Sequence, residues 1–125
     1  MRLPWYLIAQ EDLAEARKIA WEGLALVRDE GGFIVRVCLQ QWALLGALDG
    51  QSRMAAHLIG HVNAGFADAG EDRQPTEQQI YDRLMERLRI TLASADIDEF
   101  GRQGAQWSED EAVAFVLSEI SIPLT

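Results

Sequence analysis

Residues 33–69 read FIVRVCLQQWALLGALDGQSRMAAHLIGHVNAGFADA, and this stretch decides the fold. Its first half, Phe33 to Leu48, is apolar on nearly all sides, which is typical of a helix packed between neighbours. Its second half, Gln51 to Ala69, repeats apolar residues at helical spacing. Asp49-Gly50 lies between the halves and is a turn signal, so the stretch is predicted to form an antiparallel helical hairpin.

Helical patterns continue on both sides of this hairpin. Trp5 to Glu30 carries the stripe of an amphipathic helix, and two glycines follow it as a stop signal. Downstream, Thr76 and Gln79 have the spacing of a capping box, and the helix that they open is predicted to run to about Ala95. The chain is therefore predicted to be all-α.

The C-terminal part of the chain carries two further signals. Ile97 to Gln103 is predicted to be a short helical turn closed by Gly104. Ser108 and Glu111 form a second capping box ahead of a final helix, which Pro123 ends. We expect these helices to close the end of the fold.

Two parts of the chain align with each other at a spacing of 39 residues. Glu11 to Ala16 and Gly50 to Ala55 each open a helix and end on a small residue. Such internal similarity predicts stacked antiparallel hairpins, here a fragment of a tetratricopeptide-like right-handed solenoid with a C-terminal helical cap. We expect a single domain over residues 1–125, with the repeats in 1–70 and capping helices in 71–125.

Three segments carry a resemblance to a known family. They are Ala56 to Ala69 (AHLIGHVNAGFADA), Gln74 to Leu88 (QPTEQQIYDRLMERL) and Gly104 to Val116 (GAQWSEDEAVAFV). They resemble the C-terminal tetratricopeptide-like region of large bacterial ATPase-type transcriptional regulators and adenylate-cyclase-like signalling proteins. The resemblance implies a sensor or scaffold role, with catalysis and DNA contact carried by other domains. The chain has no GxxxxGK[ST] loop, so no ATPase activity is expected of it.

The charge and hydropathy of the chain limit its partners. Its 20 acidic and 11 basic residues give a formal net charge of -9, which argues against binding of nucleic acid by this chain alone. The apolar stretch from Pro4 to Ala9 is too short to span a bilayer or to serve as a signal peptide. We therefore predict a cytoplasmic protein that does not enter a membrane.

Residues with catalytic or metal-binding chemistry are sparse. His57 and His61 lie one helical turn apart, but no nearby carboxylate completes a zinc site, so both are predicted to be ordinary helix histidines. The single cysteine, Cys38, lies among apolar residues and is predicted to be a buried, inert thiol. The acidic run from Glu109 to Glu111 suits the first turn of a helix. No catalytic, cofactor-binding or metal-binding residue is predicted, and the chain is predicted not to be an enzyme.

Aromatic residues concentrate in the first third of the chain. Core packing is one interpretation, and a stripe that contacts a partner is the other. On the second interpretation the chain is a non-catalytic module for protein–protein interaction or regulation in a bacterial signalling or transcription-control system. It would bind a protein partner or associate with itself as a homodimer. The alternative function is a small-ligand sensor with an apolar pocket between helices. The candidate contact residues are Trp5, Tyr6, Trp21, Phe33 and Trp42.

Overall fold

The computed structural model describes residues 13–119 of the chain, with side chains from 15 to 118. This range contains helices and no strand, so the prediction of an all-α protein is confirmed for it. No helix in the range is both long and apolar enough to cross a bilayer. The helices are α1 (Leu13–Val27), α2 (Gly32–Leu48), α3 (Ser52–Ala69), α4 (Pro75–Thr91), α5 (Ser94–Ala105) and α6 (Glu109–Glu119).

Helices α2 and α3 form the antiparallel hairpin that the sequence predicts. Gly46 near the end of α2 lies against Met54 at the start of α3, whereas Gly65 near the end of α3 lies against Arg36 at the start of α2. The turn between them places Gly50 at a φ of 84°, a conformation that glycine adopts without strain. Helix α2 is packed between neighbours, and every residue from Trp42 to Ala47 is buried.

The next two helices lie on this hairpin. Helix α4 packs against α2, and α5 packs against α3, while α4 and α5 contact each other very little. The Gln40 amide donates to the carbonyl oxygen of Glu77 at 2.8 Å near the start of α4, and the hydroxyls of Ser52 and Thr91 share a 2.8 Å hydrogen bond at its end. The two pairs of helices are therefore stacked, with an opening between α4 and α5.

Helix α6 returns to the beginning of the described chain. The Trp21 indole of α1 donates a hydrogen bond to the carbonyl oxygen of Leu117 at 3.2 Å. At the other end of α6, the Glu109 carboxylate accepts from the backbone N–H of Gly32 at 3.3 Å. A carboxylate at the N-terminus of α2 also suits the dipole of that helix. Both ends of α6 are thus attached to the α1–α2 pair.

A hydrophobic core joins these helices. Its largest fully buried side chain is Trp42, and α2 and α3 supply most of the rest. Helix α5 contributes least: of its residues, only Gly104 is buried, and Ile97 and Phe100 pack against the core from its edge. Other core residues are Leu24, Leu39, Leu44, Leu45, Leu58, Val62, Leu84, Leu88 and Val116.

Several predicted helix ends are wrong. Helix α1 ends at Val27 rather than Glu30, because the next three residues form a turn in which the Glu30 N–H bonds to the carbonyl oxygen of Val27 at 2.9 Å. Its predicted start at Trp5 lies outside the described residues. Helix α4 begins at Pro75, which suits the first helical position, so Thr76 is not its cap. The same helix ends at Thr91, since the next residue is extended.

Gly104 does not close a short turn, as the sequence pattern indicated. It lies inside α5, a full helix that runs from Ser94 to Ala105, and it is buried where that helix meets α3. The second capping box is confirmed. The Ser108 N–H donates to the Glu111 carboxylate at 2.8 Å, and the Glu111 N–H donates to the Ser108 hydroxyl at 3.0 Å.

Candidate functional site

An open groove runs between α4 and α5, with α3 as its floor. Its wider part measures about 500 Å³ and is lined by Ile59 on the floor and by Tyr81 and Met85 on the α4 side. A second part, of about 310 Å³, continues toward the α4–α5 connection. Met85, Ile97 and Asp98 line both parts, so the two form one continuous groove.

Glycines produce the groove. The backbones of α3 and α5 touch at Gly60 and Gly101, where a Cβ on Gly60 would overlap the carbonyl group of Gly101. A Cβ on Gly104 would overlap the carbonyl group of His57 in the same way. Because α5 packs so closely against α3, it makes few contacts with α4, and the groove lies open between α4 and α5.

The lining of the groove carries two unpaired charges. Asp98 lines both parts of the groove, and Arg89 lines one of them. Neither side chain has an ion pair or a hydrogen bond with another described residue. Arg102, also on the rim, is paired with Glu99. The groove therefore combines apolar side chains with one free charge of each sign.

A polar cleft of about 410 Å³ adjoins the groove at Ala64 and Ala105, which line both. The cleft lies between α2, α3 and the α5–α6 connection. His61 lines it from α3 and is 7% exposed. The remaining polar lining comes from Arg36, Asp68, Trp107, Ser108 and Glu109.

His61 joins α3 to the α5–α6 connection. Its Nδ1 lies 3.1 Å from the carbonyl oxygen of Trp107, so Nδ1 carries the proton and donates. Burial lowers the pKa of His61 below its ordinary value of 6.5, and the charge of Arg36 acts in the same direction. The hydrogen bond to Trp107 and the charge of Glu109 oppose this shift. The imidazole is therefore neutral at pH 7.

Arg36 is the buried cation beside the cleft, with 8% of its surface exposed. Its guanidinium is paired with the Glu71 carboxylate and lies 5.2 Å from the centre of the Phe66 ring. Its Nε is buried and has no hydrogen-bond partner in the described part of the chain. The ion pair attaches the α3–α4 connection to α2 and largely neutralises this charge.

His57 has both ring nitrogens engaged. Nδ1 lies 2.9 Å from the Arg53 carbonyl oxygen and Nε2 lies 2.8 Å from the Gln103 amide oxygen. The ring also stacks on Trp107, with 5.6 Å between centroids and 9° between planes. His57 and His61 therefore hold α5 and the α5–α6 connection against α3. The described residues contain no group of three or more side chains that could bind a metal ion.

The comparisons give no relative. No protein-family model, curated protein or solved structure matches this chain. The resemblance to bacterial regulators consequently stays a prediction from the sequence.

The aromatic contact residues predicted from the sequence occupy different environments. Trp42 is 1% exposed in the core, so its indole is not available to a partner, which corrects its assignment as a contact residue. Phe33 is half-buried and packs edge-on to Phe66 with 5.9 Å between ring centroids. Trp21 is half-buried and bonded to α6. Trp5 and Tyr6 lie outside the described residues.

Sequence analysis missed the residues of the groove. Met85 lies in the apolar stripe of α4, where it is indistinguishable from a core residue. The available signal was glycine: Gly60 and Gly101 each interrupt a helical pattern, which indicates close backbone approach. The cleft had no comparable signal, because its polar residues come from four separate segments.

The described side chains of these sites contain no paired nucleophile and base. In the described range no serine hydroxyl and no cysteine thiol is hydrogen bonded to a histidine. The Ser108 hydroxyl, which lines the same cleft as His61, accepts from the Glu111 N–H as a helix cap. Burial raises the pKa of the Cys38 thiol, so this half-buried side chain stays protonated at neutral pH and is a poor nucleophile. The groove provides apolar contact area and the cleft provides hydrogen-bond acceptors.

Proposed function

We propose that this chain is a non-catalytic helical module that binds a partner protein, and that the groove between α4 and α5 holds an amphipathic helix of that partner. The open groove carries this proposal. Two helices form its walls and a third forms its floor, so a partner helix completes a packed group of four. Met85 at its centre is flexible and polarisable, which suits contact with varied apolar side chains.

Charge favours a basic partner. The chain carries a formal net charge of -9, and Asp98, whose carboxylate is free, lines both parts of the groove, whereas the free Arg89 lines only one of them. A second copy of the chain would bring the same negative charge, whereas a basic helix gains electrostatic attraction and associates faster. We therefore assign the groove to a helix with an apolar stripe flanked by Lys or Arg. Self-association remains a prediction from the sequence.

The wider setting is also a proposal. A tetratricopeptide-like arrangement is supported by the stacking of α4 on α2 and of α5 on α3, as in successive hairpins. The return of α6 to α1 is a departure from an open solenoid. A cytoplasmic role in bacterial signalling or transcription control rests on the sequence resemblance. The alternative of a small-ligand sensor calls for an apolar pocket enclosed between helices, and the groove and the cleft of the described part are both open to solvent.

A designed peptide tests the groove directly. The probe is a fluorescent synthetic helix with a Leu stripe and Lys flanks, compared with a scrambled peptide of the same composition and charge. Fluorescence anisotropy is expected to show saturable binding of the helix and much weaker binding of the scrambled peptide. Equal binding of both peptides would mean that only net charge is recognised, and the groove proposal would fail.

Two matched pairs of variants locate the binding. Ile97→Ser removes apolar surface from the groove, and Ile90→Ser removes it from an isoleucine on α4 that is 71% exposed outside the groove. We expect about tenfold weaker binding for the first and no change for the second. Asp98→Lys is expected to weaken binding more than Asp96→Lys. Circular dichroism verifies that each variant is folded.

A further inference from the structure

The cleft beside His61 is a second binding site. We propose that it holds a small organic cation, an alkylammonium or alkylguanidinium group. The cleft combines an acceptor without a partner among the described residues, on a mostly buried histidine, with two carboxylates in its lining and a space large enough for a short alkyl chain. The polar side chains of the cleft are different from those of the groove, and a cation can bind there whether or not the proposed function is correct.

The unpaired acceptor is Nε2 of His61. The Trp107 carbonyl oxygen can only accept, so the hydrogen bond at Nδ1 fixes the proton there and leaves a lone pair on Nε2. Nε2 has no hydrogen-bond partner among the described residues, although His61 is more than nine-tenths buried. An acceptor held in this way favours a ligand that donates hydrogen bonds.

The lining of the cleft carries more negative than positive charge. Asp68 and Glu109 line the cleft, and the only cation in its lining, Arg36, is already paired with Glu71. The Asp68 carboxylate has no partner in the described part of the chain, and Glu109 accepts one hydrogen bond, from Gly32. These groups repel an anion and attract a cation.

The kind of cation follows from the arrangement of the acceptors. The described residues contain no group of three or more His, Cys, Asp or Glu side chains that could hold a metal ion. A volume of about 410 Å³ is in the usual range for small-molecule sites. An ammonium or guanidinium group, with several N–H donors, can reach separate acceptors at once.

Two sources supply this chemistry. One is a free amine or guanidine metabolite. The other is a Lys or Arg side chain of a protein, and the adjoining groove offers such a side chain a route across Ala64 and Ala105. The cation is the same in both cases, so the experiment first tests the cation and then separates the sources.

The first measurement is a titration followed by NMR chemical shifts in an amine-free buffer at neutral pH. The probes are n-butylguanidinium and its neutral isostere n-butylurea. We expect saturable binding of n-butylguanidinium at about millimolar concentration and binding of n-butylurea that is at least about tenfold weaker. Equal binding of the two probes, or no saturation by n-butylguanidinium, overturns the proposal.

Charge-neutralising variants locate the cation. Asp68→Asn and Glu109→Gln are each expected to weaken n-butylguanidinium binding about fivefold, while Glu109→Gln keeps an acceptor for the Gly32 N–H. The matched control is Asp110→Asn, an exposed carboxylate next to Glu109 in sequence and outside the cleft lining. Unchanged binding in both cleft variants, or an equal loss in the control, places the cation elsewhere and overturns the proposal.

The two sources of the cation are distinguished by comparing the binding of agmatine with the binding of the blocked tripeptide Gly-Arg-Gly. Tighter binding of agmatine supports a free metabolite, and tighter binding of the tripeptide supports a partner side chain. Failure of both to compete with n-butylguanidinium overturns the proposal. Ile97→Ser is expected to leave n-butylguanidinium binding unchanged, so failure of the groove and failure of the cleft are distinguishable.

Discussion

Gly60 and Gly101 are in backbone contact where α3 crosses α5, and a Cβ on Gly60 would overlap the carbonyl oxygen of Gly101. This contact determines how deep α5 lies on the hairpin. Helix α5 brings few buried apolar side chains of its own, so close backbone packing and the contacts of His57 hold it in place. The open groove beside α4 is a consequence of that packing.

Substitution of glycine by alanine is expected to have opposite effects at two helical positions. Gly104→Ala places a methyl group against the carbonyl group of His57, and we expect a loss of about 2 kcal/mol or more in the free energy of unfolding. Gly23→Ala in α1 meets nothing within 4 Å and is expected to gain about 0.5–1 kcal/mol. Urea denaturation measures both. A Gly104→Ala variant as stable as the parent would contradict the close crossing.

The free energy of unfolding is expected to decrease as the pH is lowered from about 6.5 to the pKa of His61 in the folded chain, which lies below 6.5. In this pH range the imidazole of the unfolded chain binds a proton, whereas the imidazole of the folded chain stays neutral. The free energy of unfolding therefore increases with pH across this range. His61→Asn keeps an N–H donor for the Trp107 carbonyl and removes the titration. Thermal melts at several pH values are expected to show a smaller loss in the variant over this window, and parallel curves would refute the prediction.

The capping box at the start of α6 is expected to contribute measurably to stability. Ser108→Ala removes the hydroxyl that accepts from the Glu111 N–H, at an expected cost of about 1 kcal/mol. Ser94 begins α5 and makes no capping hydrogen bond, so Ser94→Ala is the matched control and is expected to cost little. Chemical denaturation of both variants gives the difference, and equal costs would mean that the cap is not formed in solution.

Arg73 is expected to depend on the planar shape of its guanidinium. It donates to the Gln40 amide oxygen at 2.6 Å and to the Asn63 amide oxygen at 2.7 Å, and it lies 4.1 Å from the centre of the Tyr81 ring. A lysine cannot form this fork and stack together, so Arg73→Lys is expected to cost about 1–3 kcal/mol. Arg83→Lys, at an exposed position on α4, is the control for the loss of a guanidinium. Similar unfolding free energies for the two variants would contradict this role.

Several features that depend on neighbouring residues in the chain were predicted correctly. The turn at Asp49-Gly50 and the capping box at Ser108 both use contacts a few residues long, and the apolar spacing of α2 and α3 directly indicates helices. The N-cap of α4 was predicted two residues late, at Thr76 instead of Gln74, because Thr76 fits a capping box as well as Pro75 fits the first helical position. Where two local signals compete, the sequence does not rank them.

Features that depend on distant residues were not predicted. Trp42 and Trp21 are alike in a helical pattern, yet one fills the core and the other bonds to the far end of the chain. Gly104 has the appearance of a helix stop, but it is buried inside α5 because α3 approaches too closely for any side chain there. In both cases the partner that decides the role is more than 40 residues away in sequence.

The sequence by itself determined that the described chain is helical, where its hairpin turns, and that its charge is strongly negative, because propensity, spacing and composition act locally or add up over the chain. Only the tertiary structure decided which helices touch. The position of α5 against α3 opens the groove, and the return of α6 to α1 brings Glu109 beside Arg36 and His61. Such sites depend on the close contact of separate segments, which the periodicity of a single helix does not encode.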